Sequence, residues 1–355
     1  MKHTSKTSTM RKIILTLLFK ILLSTHGWSQ GCTPIRNITG LTPDVQFRSI
    51  QSSNKYLFNI SNKYFKASST YKGTKYITDT LVTNRIFNLN ISLSGLLTNG
   101  WSMSLIVPVS ANSRQNSADH GGPKTPKHTT HSFGLGDIRF SVNKWILNST
   151  ANQKWNVQIG LGIKLPTGDF RYQDYFFRND STKVLAPVDP AIQLGDGGTG
   201  ITTEVYAFYS FVKTVHVFMS GYHLMNPREQ NGISNLKGRN PSSIEIINNT
   251  TVMSVPDQYT LRGGINLEFQ QIIFTAALRY EKLPVKDLVG GNKGFRRATS
   301  VASLEPGITY QAKKVTAFGF VGMPFKRNII QNQENNMTPA GFADYLFSFG
   351  VQFEL

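Results

Sequence analysis

The stretch ADYLFSFGVQFEL at residues 343–355 decides the reading of the fold. Tyr345, Phe347, Phe349, Val351, Phe353 and Leu355 share one parity; Asp344, Ser348, Gly350, Gln352 and Glu354 share the other, where Leu346 alone is apolar. Strand side chains alternate between two faces, so this segment has one apolar face and one polar face. A half-buried strand of a soluble protein alternates in the same way, and the choice therefore rests on what recurs elsewhere in the chain.

The pattern recurs. Trp155, Val157, Ile159, Leu161, Ile163 and Leu165 oppose Asn156, Gln158, Gly160, Gly162 and Lys164; Phe87, Leu89, Ile91 and Leu93 oppose Asn88, Asn90, Ser92 and Ser94. Aromatic residues gather at the ends of such runs, where the girdles of a membrane barrel lie. Strands are expected at residues 59–69, 81–94, 100–109, 133–147, 154–166, 200–212, 214–224, 256–269, 271–281, 300–311, 314–324 and 343–355, twelve in all. Connections after the even strands are short (96–99, 148–153, 213, 270, 312–313), whereas those after odd strands are long (110–132, 167–199, 225–255, 283–299, 324–342). A soluble sandwich or propeller has no reason to put its long loops at one end; an outer-membrane barrel does. The expected fold is all-β, a transmembrane antiparallel up-and-down barrel of about 12 strands behind an N-terminal signal peptide.

Arg11 and Lys12, an apolar run over 13–23 and small residues at Gly27 and Ser29 have the order of a secretory leader, with cleavage expected after Ser29 or Gln30. That divides the chain into a signal peptide (1–29), an extension (30–58) that is either periplasmic or folded into the lumen, and the barrel (59–355). The apolar run is too short for a helical span, and no apolar run of 18 residues follows it. Cys32 is the only cysteine, so no intramolecular disulfide forms; Ser29, three residues before it, argues against lipidation. Without the five basic residues of the leader, 33 basic and 20 acidic residues remain, a net +13. The charges are scattered and the chain is exported, which argues against nucleic acid and for lipopolysaccharide phosphates or an anionic solute.

Three stretches carry a further pattern: 96–109 ending in Val107-Pro108-Val109, then FGLGDIRF at 133–140, then GLGIKLPTGD at 160–169, followed by GDGGTG at 195–200. In this order they resemble the outer-membrane proteins named for the phenol-degradation meta-pathway, over roughly residues 81–224. The resemblance implies a barrel that transports small, often aromatic or hydrophobic, compounds, and it supplies no catalytic residue. Taken physically, Gly134, Gly136, Gly160 and Gly162 allow sharp bending and close approach, Pro166 ends a strand, and Asp137 points to the lumen or rim, within reach of Arg139. The terminal strand resembles the signal read by the barrel-assembly machinery.

Other chemistry is thin. No GK[ST] and no helix follow the glycine cluster at 195–200, so it is not a phosphate loop. His120, His128 and His131 with Asp119 lie in one external loop without the spacing of a metal cage, and a solvated loop is the better account. No nucleophile motif stands out, and neither catalytic residue, cofactor nor metal is assigned. On the lumen parity lie Arg139, Lys164, Glu204, Arg262, Glu268 and Arg279, the candidates for charge selectivity. Lys282, Lys286, Lys293, Arg296 and Arg297 against Asp287 make the loop at 282–299 basic, suited to lipopolysaccharide or merely to solubility. The leading expectation is a passive channel for small solutes in a Gram-negative outer membrane. The rival is a closed barrel whose long loops bind lipopolysaccharide or a protein.

Overall fold

The computed structural model describes residues 41–48, 56–122, 125–147, 154–179, 181–330 and 340–355. The leader and Cys32 lie outside these residues. In chain order the elements are α1 (Pro43–Arg48), β1 (Tyr56–Lys72), β2 (Lys75–Leu96), β3 (Trp101–Asn116), β4 (His128–Leu135), β5 (Arg139–Trp145), β6 (Trp155–Lys164), β7 (Gln173–Phe177) and β8 (Lys183–Pro187). Then come β9 (Gly200–Val212), β10 (Val215–Met225), β11 (Gln230–Ser234), α2 (Ser243–Ile247), β12 (Val252–Ser254), β13 (Gln258–Phe269), β14 (Ile272–Leu283), β15 (Thr299–Gln311), β16 (Val315–Ile329) and β17 (Ala340–Glu354).

One sheet carries the order β2-β1-β17-β16-β15-β14-β13-β10-β9-β6-β5-β3-β4, and β2 also pairs with β3, so the sheet closes on itself. Taking β4 and β5 as two halves of one wall strand, interrupted at 136–138, the barrel has twelve antiparallel strands. Each strand expected from the sequence is found. The seam joins the first wall strand to the last, from Leu57↔Glu354 to Tyr64↔Phe347 and beyond.

The alternation of short and long connections holds except at the first external one. There β1 and β2 run on past the band and meet in a tight turn at Gly73 and Thr74, with Lys72 opposite Lys75. Gly73 has φ +60°, the left-handed geometry that such a hairpin turn demands.

Outward side chains are apolar and exposed, among them Ile159, Leu161, Met219, Leu278 and Phe349. Trp101, Trp155, Tyr209 and Phe269 mark the short-turn end of this band, and Phe133, Tyr280 and Phe325 the long-loop end. A soluble monomer rarely exposes a contiguous apolar patch beyond a few hundred Å²; this surface girdles the whole molecule and fits only lipid. Most inward side chains are polar, with Asn59, Asn88, Ser94, Ser110, Thr202 and Asn266 buried.

Two segments fill part of the lumen. At the short-turn half, α1 lies inside: Leu41 and Val45 pack on Ile273, Phe318 and Phe320. Asp44 accepts from the Tyr206 hydroxyl, and Gln311 and Gln352 donate to the carbonyls of Val45 and Gln46 at 3.2 and 3.1 Å. At the long-loop half, the chain after β8 folds inward, burying Val188 and Ile192 against Phe65, Ala67, Ile86 and Leu346. Leu346, the apolar exception on the polar face of the last strand, is thereby explained. A side chain as buried as Ile192 contributes about 1.5–3 kcal/mol to holding this loop in place.

Candidate functional site

The lumen is the site, and three ionic groups shape it. The first is a knot built from three of the four motifs singled out in the sequence, those at 133–140, 160–169 and 195–200. Lys164, the last residue of β6, reaches Asp137 at 3.4 Å and also bonds Asp196. Asp137 in turn accepts from the backbone N–H of Gly168 at 3.1 Å and of Asp196 at 3.3 Å. Thr167 donates to the Gly136 carbonyl at 2.9 Å and accepts from the Ile138 N–H at 2.8 Å. Segments that are remote in sequence are thus sewn together where the wall strand breaks between β4 and β5. The glycines serve close approach: a Cβ on Gly195 would lie 2.5 Å from Asp137 Oδ1, and one on Gly168 2.7 Å from the Leu194 carbonyl. The cluster at 195–200 belongs to this knot and opens a strand, β9. Asp137 makes an ion pair with Lys164, which stands directly opposite Arg139 in the ladder.

The second group is a latch on the inward loop. Asp189 is wholly buried and takes both terminal nitrogens of Arg297 at 2.8 Å. Lys237 stands 3.3 Å away and Arg114 3.5 Å; both also contact Asp119, at 3.1 and 2.8 Å. Burial alone would raise the Asp189 carboxyl, but Arg114, Arg297 and Lys237 together hold it well below the ordinary carboxylate range. In the same way Asp119, desolvated yet faced by Arg114 and Lys237, is held low.

The third group lines the wall. Glu305 accepts from Arg262 Nε at 2.7 Å and from Arg279 Nη1 at 3.1 Å, while Arg279 Nη2 bonds Glu281 at 2.7 Å. The Arg262 guanidinium also lies over the rings of Phe218 and Phe320, at 4.9 and 5.3 Å. Buried Lys63 lies near Arg279.

Two chambers lie between these groups, and Asn90 lines both. The outer one, about 90 Å³, has apolar walls from Leu194, Leu224, Met253, Leu283 and Phe295, with Arg139, Lys164 and Arg296 among them. The inner one, about 170 Å³, is lined by Asn59, Ser92, Ser104, Gln158, Glu204 and Arg262 and is bounded by Leu41–Pro43 of the N-terminal segment.

Of the six lumen candidates, Arg139 and Lys164 line the outer chamber and Glu204 and Arg262 the inner one. Arg279 sits in the wall cluster, and Glu268 stands at the short-turn rim, 3.2 Å from His216. The structure adds Lys63, Asp189, Asp196 and Glu305. Parity alone could have given Glu305, which alternates inward with Ser303 and Thr309 along β15. Asp189 lies in a loop, where parity says nothing.

Two loop expectations change. His120 is buried, not solvated: it stacks near His128 and Phe176 at 5.3 Å and accepts from the Phe177 N–H at 3.1 Å. In the basic loop Arg296 and Arg297 turn inward onto Asp287 and Asp189, leaving Lys286 and Lys293 exposed.

No protein-family model matches the chain, and no curated protein matches it in sequence. Among solved structures, an outer-membrane channel from Pseudomonas putida F1 overlays with TM-score 0.60 at 10% identity, over 86% of this chain and 97% of that one. The β domain of the Bordetella autotransporter BrkA (TM-score 0.44, 10% identity, 85% and 100% covered) and the CymD monoaromatic hydrocarbon channel (0.41, 9%, 86% and 90%) overlay too loosely to add to the argument. At such identities the likeness concerns fold alone. With the apolar girdle, the closed twelve-strand wall and the long loops at one end, it makes this chain an outer-membrane β-barrel.

Proposed function

We propose that this barrel is a passive channel for small solutes, exported behind a cleaved leader into a Gram-negative outer membrane and driven by the solute gradient. The observation that carries the reading is the pair of chambers that share Asn90 between two inward segments, open space where a structural barrel would be packed. An apolar outer chamber with cations in its wall, followed by an inner one rich in hydroxyl and amide groups, suits a compact apolar body bearing a hydrogen-bonding or anionic group. Arg139, Lys164, Glu204 and Arg262 are then the residues that set selectivity, with Arg279 and Glu268 acting on the field around them.

Membership in the phenol-degradation meta-pathway type is part of the same proposal. It is supported by the convergence of three of its four motifs, those at 133–140, 160–169 and 195–200, on Asp137 and Lys164. The terminal strand, paired on both edges, suits delivery by the barrel-assembly machinery. No catalytic residue, cofactor or metal is assigned.

The test is planar-bilayer conductance together with liposome uptake of benzoate, benzene and a neutral sugar of similar size. Uptake of benzoate above the sugar is the expected result. Absence of both conductance and flux would leave the closed, surface-binding barrel as the better account.

A further inference from the structure

Two successive rows of outward side chains cross β1, β2, β3 and β4 at the long-loop end. The lower row reads Tyr64, Phe87, Ala111, Phe133, each directly opposite the next in the ladder. The upper row reads Lys66, Arg85, Ser113, His131 in the same register. The lower row is exposed and, apart from Ala111, aromatic, with Phe133 69% accessible, and marks the top of the apolar band. The upper row changes to cations and hydrogen-bond donors within one pleat repeat.

Lys66 and Arg85 are like charges placed directly opposite, an arrangement that destabilises a sheet unless an anion joins them. Among the described residues the side chain of neither is in an ion pair or hydrogen bond. At the far end of the row Asp174 accepts from the His131 N–H at 2.7 Å and lies 3.8 Å from its imidazole. Further out, Lys72 faces Lys75 at the hairpin tip, six residues beyond Lys66 and so about 20 Å along the strand.

We infer that this wall is a binding surface for the phosphorylated glycolipid of the outer leaflet. Its acyl chains lie on the row from Tyr64 to Phe133, and its phosphates are held by Lys66 and Arg85, with His131 and Ser113 alongside. The apolar row directly beneath the cations selects this source of phosphate: a free anion has no use for it, whereas a lipid headgroup is joined to chains that cover it. The inference rests on the outer-membrane placement of the barrel and not on its being a channel.

The experiment measures binding of bisphosphorylated and of dephosphorylated lipid A to the full-length protein in mixed micelles. Wild type is compared with the Lys66→Gln/Arg85→Gln double variant, and with Lys213→Gln/Lys314→Gln at the short-turn end as the charge control. Wild type and control should prefer the bisphosphorylated form by roughly tenfold or more, and the double variant should lose that preference. If the double variant fails to give a heat-modifiable band, the single variants serve, each expected to lose roughly threefold or more. A double variant that keeps the preference, a wild type that shows none, or complete displacement of lipid A by millimolar inorganic phosphate would each overturn the assignment.

Discussion

Asp189 and Arg297, 108 residues apart, meet in a two-point contact in which both terminal guanidinium nitrogens donate at 2.8 Å to the two carboxylate oxygens. The contact ties the inward loop to the loop before β15. Replacing Asp189 by Asn keeps the shape but removes the anion that Arg114, Lys237 and Arg297 share, while Asp119 still faces Arg114 and Lys237. Breaking a buried pair from one side costs about 3–5 kcal/mol. The variant is expected to unfold at lower urea in detergent and to show larger, noisier conductance; unchanged gating noise would mean that the loop is held by Ile192 and its neighbours alone.

The latch has a defined pH range. The Asp189 carboxyl is depressed in the folded state, so its contribution is present above the ordinary value of 3.8 and is lost only as pH falls through the lower folded value. His120 behaves differently. Burial lowers it from 6.5 to about 4, so the neutral ring favours the fold above pH 6.5, and this contribution declines between there and about 4. Protease resistance of the external loops should therefore weaken from pH 6.5 to 4 in wild type but not in His120→Phe, while Asp189 keeps the inward loop seated throughout that interval.

Glu305 neutralises two arginines at once, Arg262 at 2.7 Å and Arg279 at 3.1 Å. Glu305→Gln should move the reversal potential in a salt gradient toward anions, and Arg262→Gln should move it toward cations. Identical reversal potentials for the two variants would remove this cluster from the conduction path.

Gly195→Ala places a methyl 2.5 Å from Asp137 Oδ1, against a carboxylate fixed by two backbone N–H groups. Overpacking of this kind costs about 1–3 kcal/mol. A lower temperature for conversion of the unboiled to the boiled gel band is the expected sign, and an unchanged one would show the knot to be compliant.

Deleting residues 41–48 removes Leu41 and Val45 from Ile273, Phe318 and Phe320 and widens the inner chamber. Conductance should rise with the barrel still heat-modifiable. Equal conductance would place the narrowest point at the outer chamber.

The wall was legible in the sequence because period-two alternation is imposed twice over, by lipid outside and by water or polar groups inside. That is why Trp155 to Leu165 or Tyr345 to Leu355 reads so cleanly. Lumen charges on strands, such as Lys164 and Arg262, follow from the same parity. The filling of the lumen does not, because Ile192, Asp189 and Val45 lie in segments where nothing periodic constrains them and long-range contacts decide their place. The motif residues were visible as a pattern, but their joint purpose emerges only when Gly168 and Asp196 arrive at Asp137.

The seam between β1 and β17 pairs Leu57 with Glu354, so the wall has two open edges until its last strand is in place. Every earlier hairpin can form locally, yet none can hide those edges. A chain truncated before Ala340 would present a sticky, half-greased ribbon to its neighbours, and completion of synthesis is in effect the checkpoint that separates assembly from aggregation.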